Sequence, residues 1–289
     1  MFQNIGFIGA GVMGKSMVKN LLKAGKTVHL YTRTKEKANE LLREGAIWEN
    51  TVADVAKKSD LIITIVGFPN DVEEVYFGEQ GILENAKPGS FVIDMTTSSP
   101  LLAKKIYNQA KIYHIHSLDA PVSGGDIGAK NATLTIMVGG DHSDYELCLP
   151  ILRLIGENII RQGDAGSGQH TKMANQIAIA SNMVGVSESI VYAKKAGLDP
   201  IQVLDSISAG AAGSWSLSNL APRMIAHDYT PGFYIKHFIK DMKIALASAK
   251  EMGLQMPGLE LSLQLYTELA ENGEEDSGTQ ALIKWFQDA

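Results

Sequence analysis

The sequence predicts an α/β domain built around parallel strands, followed by an all-α domain. Up to about residue 162, short apolar runs alternate with segments of helical spacing. After the glycine-rich segment 163–168, no strand-like run of any length recurs. The chain has 289 residues, more than the roughly 100 to 200 residues usual for one domain. We therefore predict domains over residues 1–163 and 164–289.

Seven short runs in the first domain have the composition of strands. The first four are almost continuously apolar, which is typical of parallel strands that helices cover on both faces. In chain order the predicted strands are Ile5–Ile8, Thr27–Tyr31, Leu61–Val66, Phe91–Asp94, Tyr113–Asp119, Leu134–Val138 and Ile159–Arg161.

Segments with helical spacing of apolar residues separate these strands, which predicts βαβ units and a doubly wound sheet. Gly25, Gly45 and Gly197 lie where they would end helices. In the first domain the predicted helices are Val12–Ala24, Lys35–Arg43, Val52–Lys58, Pro100–Gln109 and Ser143–Leu154. In the second they are Gln169–Lys195, Pro200–Ser208, Ile239–Met252, Pro257–Asn272 and Gly278–Phe286.

Composition excludes several classes of partner. The 26 basic residues against 32 acidic residues give a formal charge of -6, so no global electrostatic attraction to nucleic acid or anionic membranes is expected. No apolar run approaches the roughly 20 residues of a membrane span. The single cysteine, Cys148, cannot form an intrachain disulfide, which suits a reducing compartment. We expect a cytoplasmic protein with no nucleic-acid or membrane partner.

The segment Gly9–Gly14 has the pattern G-x-G-x-x-G between the first predicted strand and the first predicted helix. The first glycine permits a tight turn, the second lets backbone amides approach a pyrophosphate, and the third lets helix and sheet pack closely. The helix N-terminus then faces the phosphates. This context predicts a Rossmann dinucleotide site formed by Gly9, Ala10, Gly11, Val12, Met13 and Gly14.

The end of the second predicted strand indicates which dinucleotide binds. An NAD-selective site usually has an acidic residue about 20 residues after the glycine motif. Thr32, Arg33 and Thr34 follow the strand instead, and the first carboxylate is Glu36. A guanidinium can pair with a 2′-phosphate, and the threonine hydroxyls can donate hydrogen bonds to it. NADP is therefore favoured, with NAD as the alternative; Arg33 as a solvated loop residue also stays open.

One face of the longest predicted helix carries groups suited to proton transfer. Lys172, Asn175 and Gln176 lie at i, i+3 and i+4 and therefore share a face. The spacing alone fits a solvated helix surface as well as a catalytic one.

Four separated motifs resemble the β-hydroxyacid dehydrogenase family, which includes 3-hydroxyisobutyrate dehydrogenase, tartronate semialdehyde reductase and the glyoxylate/succinic semialdehyde reductases. The motifs are Phe7–Met17, Asp119–Gly125, Gly166–Asn175 and Lys240–Leu246, and they occur in the family's order, so that the resemblance spans nearly the whole chain. Two departures are visible: Ala10 replaces the more usual leucine, and the segment 66–69 differs from the common leucine-proline loop.

The resemblance implies a role for each matching residue. Lys172 is implied as the catalytic lysine and Asn175 as its supporting residue. Lys240 is implied to close over the nicotinamide end, contacting substrate and cofactor, and Thr96 to lie beside the nicotinamide. The substrate's carboxylate is implied to bind Ser123, Gly124 and Gly125. Homo-oligomerisation, as a dimer or tetramer, is also implied.

The resulting hypothesis is an NADP-preferring oxidoreductase that interconverts a small 3-hydroxy acid and its semialdehyde. A nicotinamide exchanges only a hydride, so a protein group must carry the proton. Lys172 is that group in the hypothesis. An oxidative decarboxylase like 6-phosphogluconate dehydrogenase is the first alternative, although Ala174 stands where that enzyme has a histidine. A non-catalytic nucleotide-binding module is the second. The seven histidines form no H-E-x-x-H pattern, and no metal is expected.

Overall fold

The computed structural model describes residues 2–288, and the chain divides between Lys172 and Met173 into two compact units. The first unit contains a Rossmann-type sheet and the second consists of helices in its described part. The predicted fold class, an α/β Rossmann domain followed by an all-α domain, is confirmed. The domain limits 1–163 and 164–289 stay a prediction.

Within residues 2–288 the first unit forms one nine-stranded sheet. Its strands are β1 Asn4–Ile8, β2 Thr27–Tyr31, β3 Ile47–Trp48, β4 Leu61–Thr64, β5 Phe91–Asp94, β6 His116–Asp119, β7 Val122–Ser123, β8 Leu134–Gly139 and β9 Gly156–Gly163. Their order is β3-β2-β1-β4-β5-β6-β8-β7, with β9 also paired to β8.

The strands β1 to β6 are paired in parallel, as the apolar runs predict. β8 departs from this pattern, because it pairs antiparallel with β6 and β7 and parallel with β9. The register aligns Thr64 with Asp94, and Asp94 with Asp119. The last residues of three adjacent strands therefore form a polar row at the carboxyl edge of the sheet.

Helices flank this sheet along the chain. They are α1 Val12–Lys23, α2 Asn39–Arg43, α3 Val52–Lys58, α4 Pro69–Phe77, α5 Ile82–Asn85, α6 Pro100–Ile112, α7 Gly125–Asn131 and α8 His142–Leu152, with a 3-10 turn at Lys35–Ala38. The long helix α9, Ser167–Lys195, begins in the first unit and continues into the second. The second unit adds α10 Pro200–Ile207, α11 Trp215–Asn219, α12 Ala221–Ile225, α13 Ile235–Glu251, α14 Pro257–Leu269, a π-helical turn Ala270–Glu274, a 3-10 turn Thr279–Leu282 and α15 Ile283–Asp288.

The central strands are buried on both faces, which explains their continuous apolar character. Neighbouring residues of β4 and β5 point to different cores: Ile63 and Ile93 join one cluster, whereas Ile62 and Val92 join the other. All four side chains are fully buried. Because side chains alternate along a strand, a sheet with helices on both faces needs apolar residues at nearly every position.

The helical unit has its own core. Along α13, the residues Phe238, Met242, Ala245 and Ala249 recur every three or four positions and are buried, the spacing of one helix face. Phe238 packs edge-on against Tyr266 of α14, with ring centroids 5.1 Å apart. Among the helices described, none combines the length and apolar character that a membrane span requires.

Several elements differ from the sequence prediction. The two-residue strands β3 and β7 are too short to produce a pattern, and α4, α5, α7, α11 and α12 are additional to the predicted helices. The helix predicted from Ile239 begins four residues earlier, at Ile235. α7 contains two glycines, a residue that weakens helical signals. The strand predicted from Tyr113 begins only at His116, because α6 extends to Ile112 and the chain turns at His114, whose φ is 57°.

Candidate active site

The glycine motif forms a tight turn that leaves the start of α1 open. Gly9 has φ 110°, and a Cβ atom there would lie 2.1 Å from the carbonyl oxygen of Ile65. A Cβ on Gly14 would lie 2.0 Å from the carbonyl oxygen of Gly9. Gly11 is the N-cap of α1 and provides no side-chain cap, and the space beside it is open. This backbone fits a pyrophosphate, since free amides at a helix N-terminus attract anions.

The other residues of the predicted motif lie around this turn. Ala10 is buried at 3 % exposure, and Val12, the first residue of α1, is 46 % exposed. Met13 is half-buried and packs against the core of the sheet. The side chains of Ala10 and Met13 therefore pack beneath the turn against the protein interior, whereas that of Val12 lies at its exposed surface.

Arg33, after β2, already has an ionic partner in this structure. One guanidinium nitrogen lies 2.8 Å from Asp71 Oδ1 of α4, and the Arg33 side chain is 71 % exposed. Asp71 also accepts a hydrogen bond from the amide of Phe68 at 3.0 Å, at the start of α4. Thr32 is half-buried, and Thr34 is exposed as the N-cap of the following 3-10 turn. A phosphate at Arg33 would therefore compete with Asp71.

Lys35 and Lys37 are two further cations that sequence reasoning missed beside Arg33. Both are exposed, and the Lys35 ammonium lies 5.0 Å from the centroid of the Trp48 ring. The signal that could have found them is the alternation of Arg33, Lys35 and Lys37 directly after a parallel strand.

The carboxyl edge of β4 and β5 is held by a buried hydrogen-bond network. Asp94 Oδ1 accepts from the Thr64 hydroxyl at 2.9 Å and from the Thr96 amide at 3.1 Å. The Thr96 hydroxyl oxygen in turn accepts from the amide of Val66 at 3.0 Å. Burial raises the pKa of Asp94 to about 6, although the hydrogen bonds from Thr96 and Thr64 oppose this rise. The loops after β4 and β5 are thereby joined.

Thr96, the predicted nicotinamide contact, is only 1 % exposed. Its hydroxyl oxygen and its backbone amide both take part in this network. In this structure Thr96 therefore holds the loops after β4 and β5 together through its hydrogen bonds.

Asp119 joins the end of β6 to the start of α9. Its two carboxylate oxygens accept hydrogen bonds from the amides of Gly166 at 2.7 Å and Gln169 at 2.9 Å. Burial raises the pKa of Asp119, and these hydrogen bonds oppose the rise. A carboxylate at this point also complements the positive end of the helix dipole. The start of α9 is therefore anchored at the carboxyl edge of the sheet.

Gln169 is a further site residue that sequence reasoning missed. Its side chain is fully buried and lies between α9 and the loop after β5. The amide nitrogen donates to the carbonyl oxygen of Thr96 at 2.7 Å, and the amide oxygen accepts from the Ser98 amide at 2.9 Å. The sequence signal for Gln169 is its position three residues before Lys172, on the same helix face. An isolated glutamine in a helix does not show which residue its side chain contacts, so this signal alone could not identify its partner.

The segment Ser123–Gly125 is a strand-to-helix connection and differs from an ordinary turn. Ser123 ends β7, where it pairs with Thr135, and α7 begins at Gly125. Gly124 and Gly125 have φ values of 124° and 64°, a region that residues with a Cβ rarely adopt. A Cβ on Gly125 would meet no atom within 4 Å. The backbone here borders open space, as an anion site needs.

Lys172 lies on α9 and is 7 % exposed, so its side chain is withdrawn from bulk water. It belongs to the first unit, one turn after the residues that Asp119 anchors. A solvated helix surface, the alternative that the spacing left open, does not describe this side chain.

In the second unit, Asn175 and Lys240 are connected through two other side chains. The Asn175 amide donates to Gln176 Oε1 at 2.7 Å, and Gln176 Nε2 donates to Asp241 Oδ2 at 2.6 Å. The Lys240 ammonium lies 2.8 Å from Asp241 Oδ1. Asp241 is 1 % exposed, so this ion pair is buried. The structure thus joins two predicted site residues through Asp241, which sequence reasoning did not single out.

Among residues 2–288, no three histidine, cysteine, aspartate or glutamate side chains form a group suited to hold a metal ion.

Two family profiles match almost the entire chain. Residues 4–163 match the NAD binding domain of 6-phosphogluconate dehydrogenase. Residues 166–286 match the NAD-binding region of NADP-dependent 3-hydroxyisobutyrate dehydrogenase.

Individual relatives extend this similarity over the full length. The chain is 47 % identical to a probable 3-hydroxyisobutyrate dehydrogenase-like protein, mitochondrial, of Arabidopsis thaliana, covering 96 % of this chain and 84 % of the relative. It is 40 % identical to 2-hydroxy-3-oxopropionate reductase of Escherichia coli, covering 97 % and 96 %. The solved structure of Mycobacterium tuberculosis 3-hydroxyisobutyrate dehydrogenase with L-serine is 29 % identical, with a TM-score of 0.90 and coverage of 98 % and 99 %.

Proposed function

Because the chain belongs to the 3-hydroxyisobutyrate dehydrogenase group of the β-hydroxyacid dehydrogenase family, we propose that it interconverts a small 3-hydroxy acid and its semialdehyde with NADP as the preferred cofactor. The family assignment itself makes it an NAD(P)-dependent oxidoreductase of the 3-hydroxyacid dehydrogenase type. The lysine's role, the NADP preference and the substrate class are the content of the proposal.

The placement of Lys172 is the observation that carries the proposal. Lys172 is buried on a helix whose first amides bind Asp119, the last residue of β6. In open α/β sheets, ligands bind beyond the carboxyl ends of the strands. A buried ammonium at this edge is suited to exchange a proton with a substrate held there.

The proposed chemistry separates hydride from proton. When bound, the nicotinamide exchanges a hydride with the substrate carbon. In the reducing direction, the Lys172 ammonium donates a proton to the carbonyl oxygen as it becomes a hydroxyl. In the oxidising direction, the neutral amine accepts that proton. Asn175 supports the lysine or the substrate hydroxyl, and Lys240 borders the nicotinamide end.

The proposed cofactor site combines the glycine turn with the end of β2. The amides that follow Gly11 would hold the pyrophosphate, and Thr32, Arg33 and Thr34 would hold the 2′-phosphate. A phosphate carries more charge than the carboxylate of Asp71, which supports an exchange of partners at the exposed guanidinium. NADP preference follows from this exchange, with NAD as the weaker alternative.

The proposed substrate carries a carboxylate at one end, held by Ser123 and the backbone of Gly124 and Gly125. Two relatives support a small carboxylate substrate: one is named for 2-hydroxy-3-oxopropionate, and the other was solved with L-serine, a 3-hydroxy acid. The open backbone at Gly125 suits an anion of small size.

Paired substrates test the proposal. We expect malonic semialdehyde, whose product is the 3-hydroxy acid 3-hydroxypropionate, to be reduced with kcat/KM at least about 100-fold above propionaldehyde, because an uncharged aldehyde leaves the desolvated polar groups of the carboxylate site unpaired at a cost of several kcal/mol. Succinic semialdehyde, one carbon longer, should exceed butyraldehyde for the same reason. Comparable rates within each pair would overturn the carboxylate assignment.

Lys172→Ala tests the acid/base role. We expect kcat to fall about 100-fold or more, since general acid/base groups typically contribute 10² to 10⁴, with little change in NADPH affinity. Turnover close to that of the unaltered enzyme would remove Lys172 from the reaction.

Homo-oligomerisation and a cytoplasmic location remain predictions. Light scattering on the purified protein would measure the first, and cell fractionation the second.

A further inference from the structure

Gln169 is a buried amide whose two ends both bind backbone atoms of one loop. Its nitrogen donates to the Thr96 carbonyl oxygen at 2.7 Å and its oxygen accepts from the Ser98 amide at 2.9 Å. The side chain has no exposed surface. A buried amide that is hydrogen-bonded at both its nitrogen and its oxygen fixes the separation between two chain segments, because neither partner can move without losing a buried hydrogen bond.

We propose that Gln169 is a positioning residue for the reaction, which holds the turn of α9 bearing Lys172 in register with the segment 96–98. The inference rests on the proposed acid/base role of Lys172. Lys172 follows Gln169 by three residues on the same helix, so any rotation or shift of this turn moves the lysine with it.

Asp119 provides the second anchor of the same turn, and the packing around it leaves little freedom. A Cβ on Gly168 would lie 2.4 Å from the carbonyl oxygen of Met137, and one on Gly139 would lie 2.7 Å from the backbone nitrogen of Gly168. The helix therefore meets the strand ends backbone to backbone. Asp119 fixes the position at which α9 starts. Gln169 fixes the orientation of the first turn of α9 relative to the segment 96–98.

The segment 96–98, to which Gln169 is hydrogen-bonded, also forms hydrogen bonds with other residues at the carboxyl edge of the sheet. The Thr96 amide donates to Asp94, and the Thr96 hydroxyl oxygen accepts from Val66. The ends of β4, β5 and β6 and the start of α9 thus form one connected set of hydrogen bonds. A displacement of about 1 Å at a reacting group can lower a rate about 100-fold, so a loss at Gln169 should appear in turnover.

The first test is Gln169→Met, which keeps the length of the side chain and removes both hydrogen bonds. We expect kcat for semialdehyde reduction to fall about 10- to 100-fold, with KM for NADPH changed less than about threefold. We also expect the solvent deuterium isotope effect on kcat to rise, because proton transfer becomes rate-limiting. A purely structural role would lower Tm and leave kcat per folded molecule and the isotope effect unchanged.

Gln280→Met is the matched control. Gln280 is also buried, at 1 % exposure, and its amide donates to the carbonyl oxygens of Asp228 and Thr230, each at 3.0 Å. Its loss should lower Tm by a similar amount while kcat and the isotope effect stay within about twofold.

Gln169→Glu gives a second, pH-dependent readout. A neutral carboxyl group has the shape of an amide, and it can accept from Ser98 while donating to the Thr96 carbonyl oxygen. An ionised carboxylate cannot donate. Burial raises the pKa of a carboxyl group, so kcat of this variant should approach that of the unaltered enzyme as the pH falls.

The outcomes separate this inference from the proposed function. If Lys172→Ala is inactive while Gln169→Met has unaltered kcat and isotope effect, the positioning role is wrong and the function stands. If Lys172→Ala retains turnover, the acid/base assignment itself fails. If Gln169→Met does not fold, Gln169→Glu decides: a deficit in kcat that is the same at every pH overturns the inference.

Discussion

Asp94 is a buried carboxyl group whose ionisation should be measurable in the stability of the protein. It is 4 % exposed, and its Oδ1 accepts from the Thr64 hydroxyl at 2.9 Å and the Thr96 amide at 3.1 Å. Asparagine keeps an oxygen that can accept both hydrogen bonds. Asp94→Asn should therefore remove the ionisation and preserve the contacts that join the loops after β4 and β5.

The magnitude follows from the pKa of this group. Burial is the largest cause that raises the pKa of Asp94 from 3.8 to about 6. At about 1.4 kcal/mol per pH unit, this difference corresponds to about 3 kcal/mol of unfolding free energy. Because the pKa is higher in the folded state, the folded protein binds the extra proton. This stability is fully present below about pH 3.8 and is lost as the pH rises through about 6.

Urea unfolding at a series of pH values between about 4 and 8 measures the effect. Trp48 lies in the first unit, whereas Trp215 and Trp285 lie in the second. A background with Trp215→Phe and Trp285→Phe therefore makes fluorescence report on the first unit. The unfolding free energy of Asp94→Asn minus that of the parent should grow by roughly 2 kcal/mol between pH 4 and pH 7, because part of the total of about 3 kcal/mol is already lost at pH 4 and a small remainder is lost only above pH 7.

A difference that stays constant across this pH range would refute the reasoning. It would mean that Asp94 ionises near its ordinary pKa in the folded protein, and that burial does not dominate at this position. Protein concentration is held constant throughout, because association would add its own contribution to apparent stability.

Three further predictions concern the cofactor, the substrate and the start of α9. Arg33→Asp should weaken NADPH binding at least about tenfold and spare NADH binding, because a charge-assisted contact is worth roughly 1.5 to 3 kcal/mol. Fluorescence titration yields both Kd values, and an unchanged preference for NADPH would exclude Arg33 from the site. Ser123→Ala should raise KM for semialdehyde acids more than for uncharged aldehydes in steady-state assays, whereas equal increases would argue against a carboxylate contact. Asp119→Ala leaves two buried amides without an acceptor and should lower the free energy of unfolding by about 3 kcal/mol or more; a loss below about 1 kcal/mol in urea unfolding would contradict the anchoring role.

The fold class and the cofactor turn were readable from the sequence because their signals are local. Strands buried on both faces require apolar residues at successive positions, as in Leu61–Thr64 and Phe91–Asp94. The glycine motif is a signal of six consecutive residues, and within it a Cβ on Gly14 would lie 2.0 Å from the carbonyl oxygen of Gly9. A residue with a Cβ does not fit there, and this steric demand is visible in the residue type.

The sequence indicated less about the site, because its geometry depends on partners far apart in the chain. Lys172 and Asn175 could be singled out from helical spacing and resemblance, but their surroundings could not. Gln169 meets a carbonyl 73 positions away, and Asp119 meets an amide 50 positions away. Arg33 likewise pairs with Asp71 across 38 positions. No local periodicity encodes such distances.

The alternation of strands and helices, the open glycine turn and the types of chemical group available for hydride and proton transfer are thus written in the order of the residues. Which of these groups meet depends on how the strands and helices pack together. Parallel pairing brings the last residues of β4, β5 and β6 to one edge, and there the buried carboxyl groups of Asp94 and Asp119 must find hydrogen-bond donors. Burial makes an unpaired polar group costly, and its partner is supplied by whichever segment the fold places beside it.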